Sequence, residues 1–198
     1  MQDASTLDTA SRIAAGDDGT WYDPVAIGLH WATAVLVVLQ MVLAQTWGLW
    51  GRPTHHLMVV AHMSFGIILA VVIVARIVWR LIPGHQVRSV VAGRVELASK
   101  AVHYLLYALL AAEAVLGFLT RWSEGEDMSF FGLPIAPPFE AWSRAAHRQV
   151  GAFHEWTGWL IIVLAAGHAA AALYHHYRLH DRVLLRMLPG GRSRALGR

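Results

Sequence analysis

The chain of 198 residues contains no cysteine. That excludes a disulfide framework, an iron–sulfur cluster on thiolates, a thiolate zinc site and the covalent attachment of a c-type haem. Charge is scarce as well. Asp, Glu, Lys and Arg make up 15% of the residues, against roughly 25% in a soluble domain. No glycine-rich phosphate loop of the Walker or Rossmann kind follows a plausible strand, and no internal repeat is sustained. Residues 1–23 lack a basic segment joined to a short apolar one, so they do not read as a cleaved secretory signal. Carrying Asp3, Asp8, Asp17, Asp18 and Asp23, they read as a flexible extension.

What the chain has instead is long apolar runs, with 56% hydrophobic residues overall. Between Asp23 and Arg52 there are 28 residues without an acidic or basic side chain, and about 20 suffice to cross a bilayer core as a helix. The first run, 25–47, follows Asp23-Pro24, an N-cap with proline at the first helical position. It ends among Trp47, Trp50, Gly51 and Pro53. The second, 57–79, meets its first charge at Arg76 and is closed by Pro83-Gly84. The third, 101–120, is interrupted only by Glu113, and the fourth, 156–177, by no charge, with His154 just ahead in the same helix. The pattern predicts an all-α fold, a four-helix transmembrane bundle over residues 24–178, followed by a basic tail, 179–198. The loop 121–149, with Gly132, Pro134, Pro137 and Pro138, is expected on the outer surface, with a short helix starting at Phe139.

Basic residues set the expected orientation, because Lys and Arg accumulate beside the cytoplasmic ends of spans. With four spans, the two ends of the chain and the second loop share a side. That side holds Arg12, Arg76, Arg80, Arg88, Arg94, Lys100, Arg178, Arg182, Arg186, Arg192, Arg194 and Arg198, against Arg52, Arg121, Arg144 and Arg148 on the other. Both termini are therefore expected in the cytoplasm. The basic tail reads as a stop-transfer and headgroup segment, and nucleic acid is not an expected partner.

Twelve histidines stand out in so apolar a chain, and an intramembrane histidine is costly unless paired or ligated. His30 lies a short way into the first span, His62 early in the second, and His154 and His168 on the fourth. Fourteen residues separate the last two, about 21 Å along the axis and about 40° around it. Depth matches His30 with His168 and His62 with His154. Two such pairs at opposite ends of a bundle are what axial bis-imidazole ligation of two haem irons requires. Gly28, Gly66, Gly151, Gly158 and Gly167 beside them are expected to leave room for a macrocycle. His103, Arg52, Arg76 and Arg80 are candidate propionate contacts, and His55 and His56 sit near Arg52. His154-Glu155 opens like a zinc-protease motif, but Gly158 stands where its second histidine belongs. His175, His176 and His180 read as interfacial. Glu113 has three open readings: protonated by desolvation, proton uptake by a quinone, or a hydrogen bond within the bundle. A non-haem reading stays open too, a proton-coupled transporter using Glu113 and the histidines as a relay.

Several stretches resemble the prokaryotic cytochrome b561 family: Ile27-Gly28-Leu29-His30-Trp31, Ala61-His62-Met63-Ser64-Phe65-Gly66, His103 with Tyr107, His154-Glu155, and Gly167-His168-Ala169-Ala170-Ala171. The resemblance continues through Tyr174-His175-His176-Tyr177 and through 181–189, and spans about residues 22–189 in all. It implies two non-covalent b-type haems with axial ligands His30, His62, His154 and His168, and electron exchange with membrane quinone. It further implies oxidation of superoxide as one activity and, as the alternative, a cytochrome b subunit that anchors a peripheral redox subunit. Superoxide is an anion, so Arg144 and Arg148, with His147 between them, form a candidate outer patch. The outer segments as a whole hold four basic residues against five acidic ones (Glu124, Glu126, Asp127, Glu140, Glu155). The chain departs from the family pattern at Ala114, where members often have proline, and at the neighbouring Glu113.

Overall fold

The computed structural model describes residues 21–83 and 87–191. Most of the expected N-terminal extension, Arg12, and the basic residues Arg192, Arg194 and Arg198 lie outside those residues. Four long helices make the fold: α1 (Pro24–Thr46), α2 (Arg52–Leu81), α3 (Gly93–Trp122) and α4 (Arg144–Tyr174). Each is long and apolar enough to cross a membrane. Asp23 caps α1 by accepting from the Ala26 N–H at 2.9 Å, and Pro24 occupies the first turn. Ser143 Oγ accepts from the Ala146 N–H at 3.3 Å and starts α4.

α1 packs chiefly on α2 and α3 on α4, and the α2–α3 contact is smaller. Along that looser seam Ala70, Ala111 and Ala114 leave an apolar gap of about 280 Å³. A compact layer of Leu69, Ile73, Leu110 and Ile161 closes the middle of the bundle, with Leu36, Val37, Ile77 and Leu109 against it. Outside this layer the apolar side chains point outward: Val35, Val38, Val71, Val74, Val115 and Val163 are all exposed. A helix face that is apolar toward its surroundings belongs in lipid, where packing and not water exclusion holds helices together.

The loop between α3 and α4 differs from expectation. No helix starts at Phe139; residues 139–143 are irregular, and α4 begins only at Arg144. Pro137 and Pro138 supply no N–H, Phe139 stacks on Trp142 with centroids 5.3 Å apart, and the Trp142 N–H donates to Ser123 O at 2.9 Å. The loop also contains a hairpin, β1 (Met128–Phe130) paired antiparallel with β2 (Leu133–Ile135). Its two turn residues, Phe131 at φ 50° and Gly132 at φ 92°, both take the left-handed conformation that a tight two-residue hairpin turn requires. Phe131 is held there because its N–H donates to the fully buried Ser64 Oγ at 2.8 Å and its ring meets Phe65 at 5.8 Å.

The opposite end of the bundle is tied by the chain beyond α4. A π-helical turn, His175–Leu179, stops at His180, which adopts φ 55°. His175 pairs with Asp181, so His175 is engaged within the protein. Trp31 Nε1 donates to Met187 O at 2.7 Å. Arg186 is buried, stacks its guanidinium over Tyr22 at 5.1 Å and donates to Arg88 O at 2.8 Å. This residue is part of the fold, not of a headgroup-facing tail as the sequence reading had it.

Candidate functional site

Two pairs of histidines face each other above and below the central apolar layer. Toward the hairpin, His62 of α2 and His154 of α4 have ring centroids 6.2 Å apart and planes at 79°. Toward Asp23, His30 of α1 and His168 of α4 stand 6.3 Å apart with planes at 69°. α4 contributes one member to each pair, and the buried Ile161 lies seven residues from both. Seven residues make about 10 Å and nearly two full turns, so His154, Ile161 and His168 follow one stripe of the helix.

The surroundings of the two pairs differ. At the Asp23 end Arg76 Nη2 lies 2.9 Å from His30 Nδ1, and its guanidinium covers the Tyr107 ring at 5.0 Å. His103 donates from Nδ1 to Ser99 O at 2.6 Å and meets the His168 ring at 5.0 Å. Arg76, Arg80, His103, Tyr22, Tyr107 and Met187 line a small open cleft. Three of the four candidate propionate contacts thus gather at this end. Arg52 is separate and exposed on the first turn of α2, beside the exposed His55 and His56.

At the hairpin end the neighbours are uncharged or acidic. Glu113 Oε1 lies 3.1 Å from His154 Nδ1, without the alignment of a hydrogen bond. Gln40 Nε2 donates to His62 O at 3.0 Å. His62 Nδ1, His154 Nδ1, Gln40 Oε1 and Glu113 Oε2 are buried without a hydrogen-bond partner. Such orphans are rare in native structures, and among the described residues the buried orphans all cluster here. The glycines explain how the polar side chains fit. A Cβ on Gly66 would come within 2.9 Å of Gln40 Nε2, and one on Gly158 within 3.1 Å of Glu113 Oε1. These two glycines therefore receive side chains, whereas Gly28 and Gly167 at the other end have nothing within 4 Å. Gln40 was missed by sequence reasoning; an amide deep in the first apolar run was the signal that could have found it.

On the outer face of the hairpin end, Arg144 and Arg148 are exposed one helical turn apart. His147 does not join them; it turns in to Ser123 Oγ at 3.0 Å. Arg121 is occupied by Glu126 at 3.3 Å and Glu124 at 3.9 Å.

Comparison with known proteins decides the family. The family described as "Prokaryotic cytochrome b561" matches residues 21–190. The chain belongs to the prokaryotic cytochrome b561 family. It is 32% identical over 174 residues to "Cytochrome b561 homolog 2" of Escherichia coli strain K12, covering 84% of this chain and 90% of the relative. It is 28% identical over 173 residues to "Probable superoxide oxidase CybB" of Yersinia pestis, covering 87% and 98%. "Cytochrome b562" of Cereibacter sphaeroides is 27% identical over 176 residues, covering 84% and 94%. The protein is thus a bacterial membrane protein of a cytochrome b561 electron-transfer family, and membership implies b-type haem.

The histidine pairs of this cytochrome b561 member fit that group. An iron between two imidazoles holds their centroids about 6.2 Å apart, given metal–nitrogen distances of about 2.0 Å and about 1.1 Å from nitrogen to ring centre. The pairs at 6.2 and 6.3 Å have that spacing. His103 and His168, at 5.0 Å, are too close to share a metal in this way.

Proposed function

We propose that the protein is a two-haem electron carrier of the bacterial inner membrane that exchanges electrons with membrane quinone. The observation that carries this reading is the geometry of α4: two histidines on one stripe, each facing a histidine of another helix across the spacing an iron needs. His30 with His168 would hold one haem and His62 with His154 the other. Each would supply a one-electron redox centre, six-coordinate and so without an open position for oxygen activation.

The protein's own residues set the conditions. Ile161 and the surrounding apolar layer separate the two sites and exclude water between them. At the Asp23 end, Arg76 and Arg80 would offer fixed positive charge to haem carboxylates, and His103 is held by Ser99 through Nδ1. Both termini belong in the cytoplasm on this reading, which the distribution of Arg and Lys supports.

Superoxide is the proposed electron donor on the outer face. The similarity to the Yersinia relative supports it. So do Arg144 and Arg148, which are exposed on α4 ahead of His154, while Arg121 is already paired with acidic side chains. Oxidation of superoxide to dioxygen releases one electron; two such events and two protons convert a quinone to its quinol. Stopped-flow mixing of oxidised protein with superoxide tests this. Rapid reduction that slows as ionic strength rises, and slows again in Arg144→Glu with Arg148→Glu at unchanged haem content, is expected. Slow reduction indifferent to salt, with a peripheral redox subunit co-purifying, would favour the anchor-subunit reading.

A further inference from the structure

Glu113 is an ionisable residue within a membrane span, and the packing around it is reciprocal. On α3, Glu113 and Gly117 are one turn apart; on α4, His154 and Gly158 are one turn apart. The Glu113 carboxyl occupies the space over Gly158, where a Cβ would stand 3.1 Å from Oε1. The His154 ring occupies the space over Gly117, where a Cβ would stand 3.4 Å from Cε1. Two glycines thus open matching notches that bring Glu113 Oε1 to 3.1 Å from His154 Nδ1. Both that nitrogen and Glu113 Oε2 are buried and otherwise without a partner. A small rotation of either side chain turns the close approach into a hydrogen bond.

We propose that Glu113 is a positioning residue for His154: its carboxyl accepts the Nδ1–H, commits Nε2 to the gap shared with His62, and lowers the reduction potential of the haem at that end. This rests on the two-haem reading above. An acceptor on the outer nitrogen of a ligating histidine fixes its tautomer and raises its basicity. A more basic ligand beside a carboxyl favours the oxidised, more positive iron. The other end is built with the opposite polarity. The Arg76 guanidinium stands 2.9 Å from His30 Nδ1, and its positive charge beside that pair favours the reduced state. The two side chains bias electrons from the hairpin end toward the Asp23 end.

The test uses the full chain carrying its haems, with haem counted per chain and midpoint potentials measured by spectroelectrochemistry. The His30→Ala background isolates the haem of the hairpin end. Added to that background, Glu113→Gln should keep the haem and make it about tenfold easier to reduce than with Glu113 in place, a rise of about 59 mV for one electron; in the otherwise wild-type chain, Glu113→Gln should leave the potential of the His30/His168 haem unmoved. Glu113→Asp should stay closer to wild type. If Glu113→Gln loses the haem, Glu113→Asp should restore it at nearly the original potential. Unmoved potentials with haem retained would overturn the proposal, as would a shift confined to the His30/His168 haem or a haem loss that Asp does not relieve. Wild-type protein with fewer than two haems per chain would contradict the underlying reading first, before any Glu113 variant is compared, and the proposal with it.

Discussion

The two ends of the bundle present the same pair of residues in opposite settings. Toward the hairpin, His62 and His154 are surrounded by Gln40 and Glu113, with four buried polar atoms lacking hydrogen bonds and the adjoining glycines already filled by side chains. Toward Asp23, His30 and His168 are surrounded by Arg76, Arg80 and His103, with an open cleft and with Gly28 and Gly167 facing empty space. The spacing of the imidazoles is nearly equal at both ends. Ligand geometry is thus repeated, while the electrostatics around it are not. In a low-dielectric interior a nearby fixed charge acts strongly, so redox groups held at the two pairs would be tuned apart by their neighbours.

The largest effect should come from removing what the ends share. His154→Ala with His168→Ala takes one histidine from each pair, and the purified protein should show no haem absorbance; persistence of one haem would mean that a helix other than α4 supplies a pair. Next is the hairpin, which covers only one end. Ser64→Ala leaves the Phe131 N–H without its buried acceptor, a loss of about 1–3 kcal/mol. It should expose residues 128–135 to limited proteolysis without altering the haem at the Asp23 end. Equal changes at both ends would erase the distinction drawn between them.

Arg76→Gln removes the cation beside His30 and should make the Asp23-end haem about tenfold harder to reduce, about 1.4 kcal/mol, in redox titration. A shift at the hairpin end instead would reverse the assignment. The smallest effect is expected of His103→Ala. At 5.0 Å from His168 it does not have the spacing of a shared iron, so the haem count should stay at the wild-type value, and loss of a haem would make His103 a ligand.

The four helices were legible in the sequence because runs free of Asp, Glu, Lys and Arg leave few alternatives to spanning a membrane. The facing of His30 to His168 and of His62 to His154 was legible as well, since depth along a helix follows from counting residues. What counting cannot supply is the rotation of one helix against another. The meeting of Glu113 with His154, of His103 with His168 and of Arg76 with His30 depends on which faces of neighbouring helices touch. The glycine notches show the same limit: sequence places Gly66 and Gly158 beside histidines, and only packing reveals Gln40 and Glu113 inside them. The hairpin was hidden for another reason, because its three-residue strands are too short to show alternation and its turn relies on Phe131 in a conformation that Ser64 supports from a distant helix.

The central claim is that each facing pair holds its own haem, and haem stoichiometry tests it most directly. Pyridine haemochrome analysis, with a reduced-minus-oxidised spectrum, should give two haems per chain for the wild type and one for each of His30→Ala, His168→Ala, His62→Ala and His154→Ala. The haem lost should be the same within each pair and different between pairs. A single haem in the wild type, or depletion of the same haem by His30→Ala and His154→Ala, would contradict the account.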